Sequence, residues 1–167
     1  MNSDQDMIRI LFICWGNICR SPMAEFIMKD LVQKAGCSDR FEIASGATSD
    51  EEVWNGVGNP VYPPAQKILE EHGISCAGKR ARQITKADYD LYDLLLCMER
   101  INVRYTRQIM GGDPEQKIHL LLDYTDRQGQ EVADPWYTRD FESAWNDILE
   151  GCQGLLTTLQ ETKIPEY

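Results

Sequence analysis

"FICWGNICRSPMAE", residues 12–25, carries an apolar run into Cys14 and places Arg20, Ser21 and Pro22 six to eight residues further on. The segment that feeds it, Ile8 to Cys14 (IRILFIC), is apolar, rich in β-branched residues and too short for a helix, so it predicts a buried strand. Beyond the loop, Ser21 is expected as an N-cap and Pro22 suits the first helical position. Ala24, Ile27, Met28, Leu31 and Ala35 then recur at helical spacing until Gly36. The stretch reads as strand, loop, helix.

Outward from it, the same pattern repeats. Phe41 to Ser45 (FEIAS) predicts a second strand ended by Gly46, followed by a loop over residues 46–60 that carries Trp54. A helix is predicted from about Pro63 to His72, with Gly73 as its stop. Asp93 to Met98 and Lys117 to Leu122 predict a third and a fourth strand, separated by a helix over Glu99 to Ile109. A last helix, about Asp140 to Leu159, turns Phe141, Trp145, Ile148, Leu149, Cys152 and Leu156 to one side. Alternating strands and helices predict an α/β fold of three layers, a four-stranded parallel sheet flanked by helices on both faces. No repeat, low-complexity tract or linker divides the 167 residues, so a single domain over 1–167 is expected.

The totals limit the function. A net charge of −10 argues against a nucleic-acid partner, which asks for a basic face. It also repels anionic substrates, so attraction must come from local donors. The six cysteines form no CxxC pair and no zinc-like cluster with His72 and His119, so no metal or other cofactor is expected. Asp4 and Asp6 stand where a secretory signal carries positive charge, and no stretch approaches a membrane span. Reduced thiols in a cytoplasmic protein, with no membrane partner, are the expectation.

In open parallel sheets ligands sit beyond the carboxyl ends of the strands, where the Cys14 to Ser21 loop falls. Backbone N–H groups turned inward above a helix N-terminus make an anion cradle. Gly16 and Asn17 tolerate the backbone angles this requires, and the planar fork of Arg20 holds two phosphate oxygens at once. The same donors stabilise a thiolate on Cys14, to which the Ser21 hydroxyl adds a hydrogen bond. A thiolate beside a bound phosphate is arranged for displacement at phosphorus. The departing oxygen needs an acid, and Asp134 in "VADPWYTRDFE" is the candidate. Trp136 and Tyr137 directly behind it are expected to wall a pocket deep enough for a phenyl phosphate and too deep for phosphoserine.

With "ASGATS", "EHGI", "ARQITKADYDLYDLLLCME" and "DPWYTRDFE" following in order, the chain resembles the low-molecular-weight protein tyrosine phosphatase family over nearly its whole length. The resemblance implies that family's four-stranded parallel sheet and a phosphotyrosine-bearing protein substrate. It implies Cys14 as the nucleophile forming a phosphocysteine, Arg20 as the phosphate-binding residue, and Asp134 as general acid and then base. Trp15, Gly16, Asn17, Ile18 and Cys19 complete the phosphate loop, and Asn17, Ser21, Ser45 and His72 match a hydrogen-bond network that fixes it. Cys19 matches a second loop cysteine that pairs with the nucleophile on oxidation, and Tyr137 a tyrosine open to phosphorylation. The state expected is a monomer or weak dimer. Departures from the family's pattern are Trp15, at a place usually aliphatic, Trp136–Tyr137, where the family usually has a pair of tyrosines, and the acidic, Trp54-bearing segment after Gly46. Trp15, Trp54, Trp136 and Tyr137 are expected to wall the substrate pocket.

Two other readings remain at this point. An arsenate reductase on the same fold needs a relay pair of cysteines, where this chain has Cys97 alone. A non-enzymatic phosphotyrosine-binding or redox-sensing module needs the cradle without the acid, and Asp134 argues against it.

Overall fold

The computed structural model describes residues 7–163. Strands β1 (Ile8–Cys14) and β2 (Phe41–Ala47) are followed by a two-stranded hairpin, β3 (Val53–Trp54) with β4 (Val57–Gly58), and then by β5 (Leu94–Cys97) and β6 (Ile118–Leu120). Four of them form one parallel sheet in the order β2-β1-β5-β6. β1 thus lies between the strand that follows it and one from later in the chain. Its carboxyl end is the switch point of the sheet, where a crevice opens.

Side-chain alternation along β1 explains its unbroken apolar run. Ile10, Phe12 and Cys14 enter the core on one face, with Met23, Ile27, Ile148 and Leu155. Leu11 and Ile13 enter the core on the other, with Tyr89, Met110 and Ile118. A strand buried on both faces has no polar side to show. The helices are α1 (Arg20–Lys34), α2 (Pro63–Glu71), α3 (Asp88–Leu91), α4 (Arg100–Met110), α5 (Pro135–Thr138) and α6 (Phe141–Lys163). Among the described residues no helix is long and apolar enough to cross a membrane.

The three-layer α/β expectation holds, with local corrections. α1 begins at Arg20 with Cys19 as its N-cap residue, so Ser21 lies inside the helix and does not cap it. Its hydroxyl is taken instead by Cys14 and Asn17. β2 runs on through Gly46 to Ala47 because the 82–84 segment joins its far end: Ala47 N donates to Arg82 O and Ile84 N to Ala47 O. A side chain at Gly46 would begin 2.7 Å from Ile84 Cγ2. The loop over 46–60 contains the β3–β4 hairpin, turned at Asn55 and Gly56, whose φ angles of 51° and 77° are those of a two-residue primed turn. The fourth strand is shorter than expected: Leu121 and Leu122 leave it for a 3₁₀ turn and are wholly buried.

Candidate active site

β1 delivers Cys14 to the crevice and α1 delivers Arg20, with five residues curling between them. Asn17 holds the curl with a left-handed backbone (φ 60°), a conformation asparagine tolerates better than most residues. Its N–H donates to Cys14 Sγ at 3.3 Å, and Ser21 Oγ lies 2.9 Å from the same sulfur. Residues 14–20 form the base of a cavity of about 460 Å³.

The side chain of Asn17, 1% exposed, ties the curl to its surroundings. Nδ2 donates to Ser21 Oγ (2.8 Å) and to Ser45 Oγ (2.9 Å), while Oδ1 accepts from Arg82 N (3.1 Å). Ser45, on β2, donates its hydroxyl hydrogen bond to Glu25 Oε1 at 2.6 Å. Glu25 is buried in α1 and is balanced by Lys29 Nζ at 2.7 Å and Lys79 Nζ at 3.3 Å. Lys79 also donates to Ser45 O at 3.0 Å. Its burial lowers its proton affinity below the usual lysine range, against the pull of Glu25.

His72 is not part of this network. It caps the C-terminus of α2, exposed, with its ring stacked on Trp145 at a centroid distance of 3.9 Å. Lys79, not His72, joins Ser45 in it. Glu25 and Lys79 are site-supporting residues that sequence reasoning missed. Their one signal was an acid at position 25 among the inward apolar positions of α1.

Arg20, 4% exposed, is held from two sides: Nη1 donates to Val132 O at 2.9 Å, and Nη2 forms an ion pair with Glu99 Oε2. Asp134 Oδ2 lies 3.5 Å from Nη2. Burial opposes the guanidinium charge, but negative charge at Cys14, Glu99 and Asp134 outweighs it and keeps Arg20 above the ordinary arginine range. Asp134 is the N-cap of α5, with Oδ1 accepting from Trp136 N at 3.0 Å. This fixes one carboxylate oxygen and turns the other toward Arg20 and the cavity.

Trp136 and Tyr137 line the cavity above Asp134, and Trp15 lines it from the loop. Trp136 leans on Tyr62 (centroids 5.5 Å apart), and Trp15 packs edge-on against Tyr105 (5.6 Å) while its Nε1 donates to Glu51. Glu51, Glu52 and Glu99 make part of the wall acidic. Trp54 does not belong to it. It sits on the β3–β4 hairpin, 78% exposed, and Glu51 and Glu52 just before that hairpin face the cavity instead.

Cys19 lines the same cavity, yet burial, reinforced by Cys14, pushes its thiol up to about 12. All six cysteines are free. Cys97 is wholly buried in β5, its thiol also pushed up to about 12 by burial, which removes it as an arsenate-reductase relay thiol. Among the described residues no group of His, Cys, Asp and Glu could hold a metal ion.

Comparison with known proteins adds the family. Residues 9–164 match the model of the low molecular weight phosphotyrosine protein phosphatases. The low molecular weight protein-tyrosine-phosphatase YfkJ of Bacillus subtilis is 39% identical over 158 residues, covering 94% of this chain and 99% of that protein. The pig low molecular weight phosphotyrosine protein phosphatase is 40% identical over 152 residues, covering 88% and 92%. The crystal structure of YfkJ superposes with a TM-score of 0.87 at 38% identity, covering 94% of this chain and 97% of that one. That of the Streptococcus pyogenes enzyme gives 0.80 at 38% identity, covering 92% and 93%. With its fold, its Cys14–Arg20 loop and these relatives in agreement, the chain belongs to the low molecular weight phosphotyrosine protein phosphatase family.

Proposed function

We propose that the chain hydrolyses phosphotyrosine in proteins, and small aryl phosphates, through a phosphocysteine on Cys14. One observation carries the reading: the sulfur of Cys14, the guanidinium of Arg20 and the carboxylate of Asp134 share one cavity with aromatic walls.

The phosphoryl dianion enters the curl, where backbone N–H groups and Arg20 hold its oxygens. Cys14 Sγ, aimed by the Asn17 N–H that donates to it and by Ser21 Oγ beside it, attacks phosphorus as the thiolate, in line with the ester oxygen. The S–P bond forms as the P–O ester bond breaks, and protonated Asp134 gives its proton to the departing phenolate oxygen. A water then loses its proton to Asp134 and attacks phosphorus, breaking the S–P bond and restoring the thiolate. Ser21 and Asn17 keep the sulfur aimed through both steps, while Glu25 and Lys79 support them through Ser45.

The aromatic walls supply selectivity. A tyrosyl ring spans the distance between the rim and the curl, and rests on Trp136 and Tyr137, whereas a seryl phosphate is too short. Six free thiols suit a reducing compartment such as the cytoplasm. The test is hydrolysis of matched phosphotyrosyl and phosphoseryl peptides. Release of phosphate from the first alone, lost in Cys14→Ser, supports the reading; equal release from both refutes it.

A further inference from the structure

Arg100, Arg104 and Arg107 recur at helical spacing along α4 and share one side of it. They border a second cavity, of about 540 Å³, distinct from the catalytic one and within the usual range for small-molecule sites. Val103, Ile118 and Leu120 give it an apolar floor. Its one carboxylate, Asp123, is already engaged, accepting from Gly129 N at 2.7 Å and Leu120 N at 3.4 Å.

Three guanidinium groups on one wall are unexpected in a chain of net charge −10. Among the described residues Arg104 and Arg107 are in no ion pair, and Arg107 reaches Asp113 only through longer-range attraction. Two adjacent unpaired arginines beside apolar surface suit an anion carried on an apolar body. Arg100 differs from them. Its backbone N–H donates to Glu131 Oε2 at 2.8 Å, and its guanidinium donates to Gly129 O. Three residues beyond Gly129, Val132 O accepts from Arg20, and Asp134 follows. Arg100 therefore holds one end of the strap that carries the general acid.

We propose that this cleft binds an organic phosphate of the nucleoside-diphosphate class, its phosphates on Arg104 and Arg107 and its ring on Val103, Ile118 and Leu120. A bound phosphate competes with the Gly129 carbonyl for Arg100, loosens the strap and lowers turnover. Only this kinetic consequence rests on the phosphatase reading; binding does not.

The probe is ADP, titrated into ¹⁵N-labelled full-length protein. The amides of residues 100–107 and 118–120 are expected to shift along a saturation curve of their own, separate from any response of residues 14–21. Arg104→Ala/Arg107→Ala should weaken that binding by about tenfold or more while leaving hydrolysis of para-nitrophenyl phosphate unchanged without ADP. Inorganic pyrophosphate should bind more weakly than ADP, because it leaves the apolar floor bare. At saturating substrate, ADP should lower kcat in the wild type and not in the double variant. Silent α4 and β6 amides, equal binding by the double variant, or pyrophosphate matching ADP each overturn the site. An unchanged kcat overturns the link through Arg100. Shifts at α4 and β6 in a protein without turnover would support the site and sink the phosphatase reading alone.

Discussion

Replacing Asn17 with alanine tests how the catalytic curl is held. The side chain is buried and makes three hydrogen bonds, to Ser21, Ser45 and the Arg82 backbone, at 2.8, 2.9 and 3.1 Å. At roughly 1 kcal/mol net each, their loss costs about 3 kcal/mol. The left-handed backbone at position 17 adds about 1 kcal/mol more, because alanine resists that conformation. The sum of about 4 kcal/mol is a large part of a domain's usual 5–15 kcal/mol. For a chain of this length it corresponds to a melting point lower by roughly 8–16 °C. Asn17→Gly is the internal control, since glycine loses the same hydrogen bonds without the backbone strain and should recover roughly 1 kcal/mol. Urea unfolding of the three proteins, compared at constant slope, reads both differences. A loss below about 1.5 kcal/mol in Asn17→Ala would show that the network does not anchor the curl. No recovery in Asn17→Gly would show that strain is not part of the cost.

Asp134→Asn removes the proposed proton donor but keeps the cap on Trp136 N. It should lower kcat about 10²- to 10⁴-fold and flatten the alkaline limb of the pH–rate profile, while phosphate inhibition stays near the wild-type level. An intact alkaline limb would assign the acid elsewhere. Brief iodoacetamide treatment at pH 7, followed by peptide mass mapping, should label Cys14 and spare Cys19. The Cys19 thiol, pushed up to about 12 by burial and then by Cys14, keeps its proton far above that pH. Equal labelling of the two would contradict that difference.

What the sequence reveals follows from how local each determinant is. β1 was legible to the residue because burial on both faces leaves an unbroken apolar run, and the Cys14–Arg20 spacing is set within one loop. The supports of that loop come from afar. Arg82 meets Asn17 across 65 positions, and Lys79 reaches Ser45 across 34, so neither left a local pattern. Glu25 and Lys79 also carry charges that ordinarily mark a surface, and only their pairing explains their burial. Ser21 has the side chain of a helix cap, but Cys14 and Asn17 compete for its hydroxyl and win, an outcome only the folded geometry shows. The family resemblance alone puts His72 in the loop's network and aromatic character puts Trp54 in the pocket wall, whereas stacking on Trp145 and the hairpin set their actual positions. The Asn55-Gly56 pair was a readable hairpin signal inside what looked like a plain loop.

The most direct test is to mix the protein with para-nitrophenyl phosphate, stop the reaction with acid within the first turnover, and map the phosphate by peptide mass spectrometry. Phosphate bonded to the sulfur of Cys14, appearing with a stoichiometric burst of nitrophenol and absent from Cys14→Ser, is the predicted result. A burst with no phosphate on Cys14, or phosphate on an oxygen of another side chain, would contradict the account.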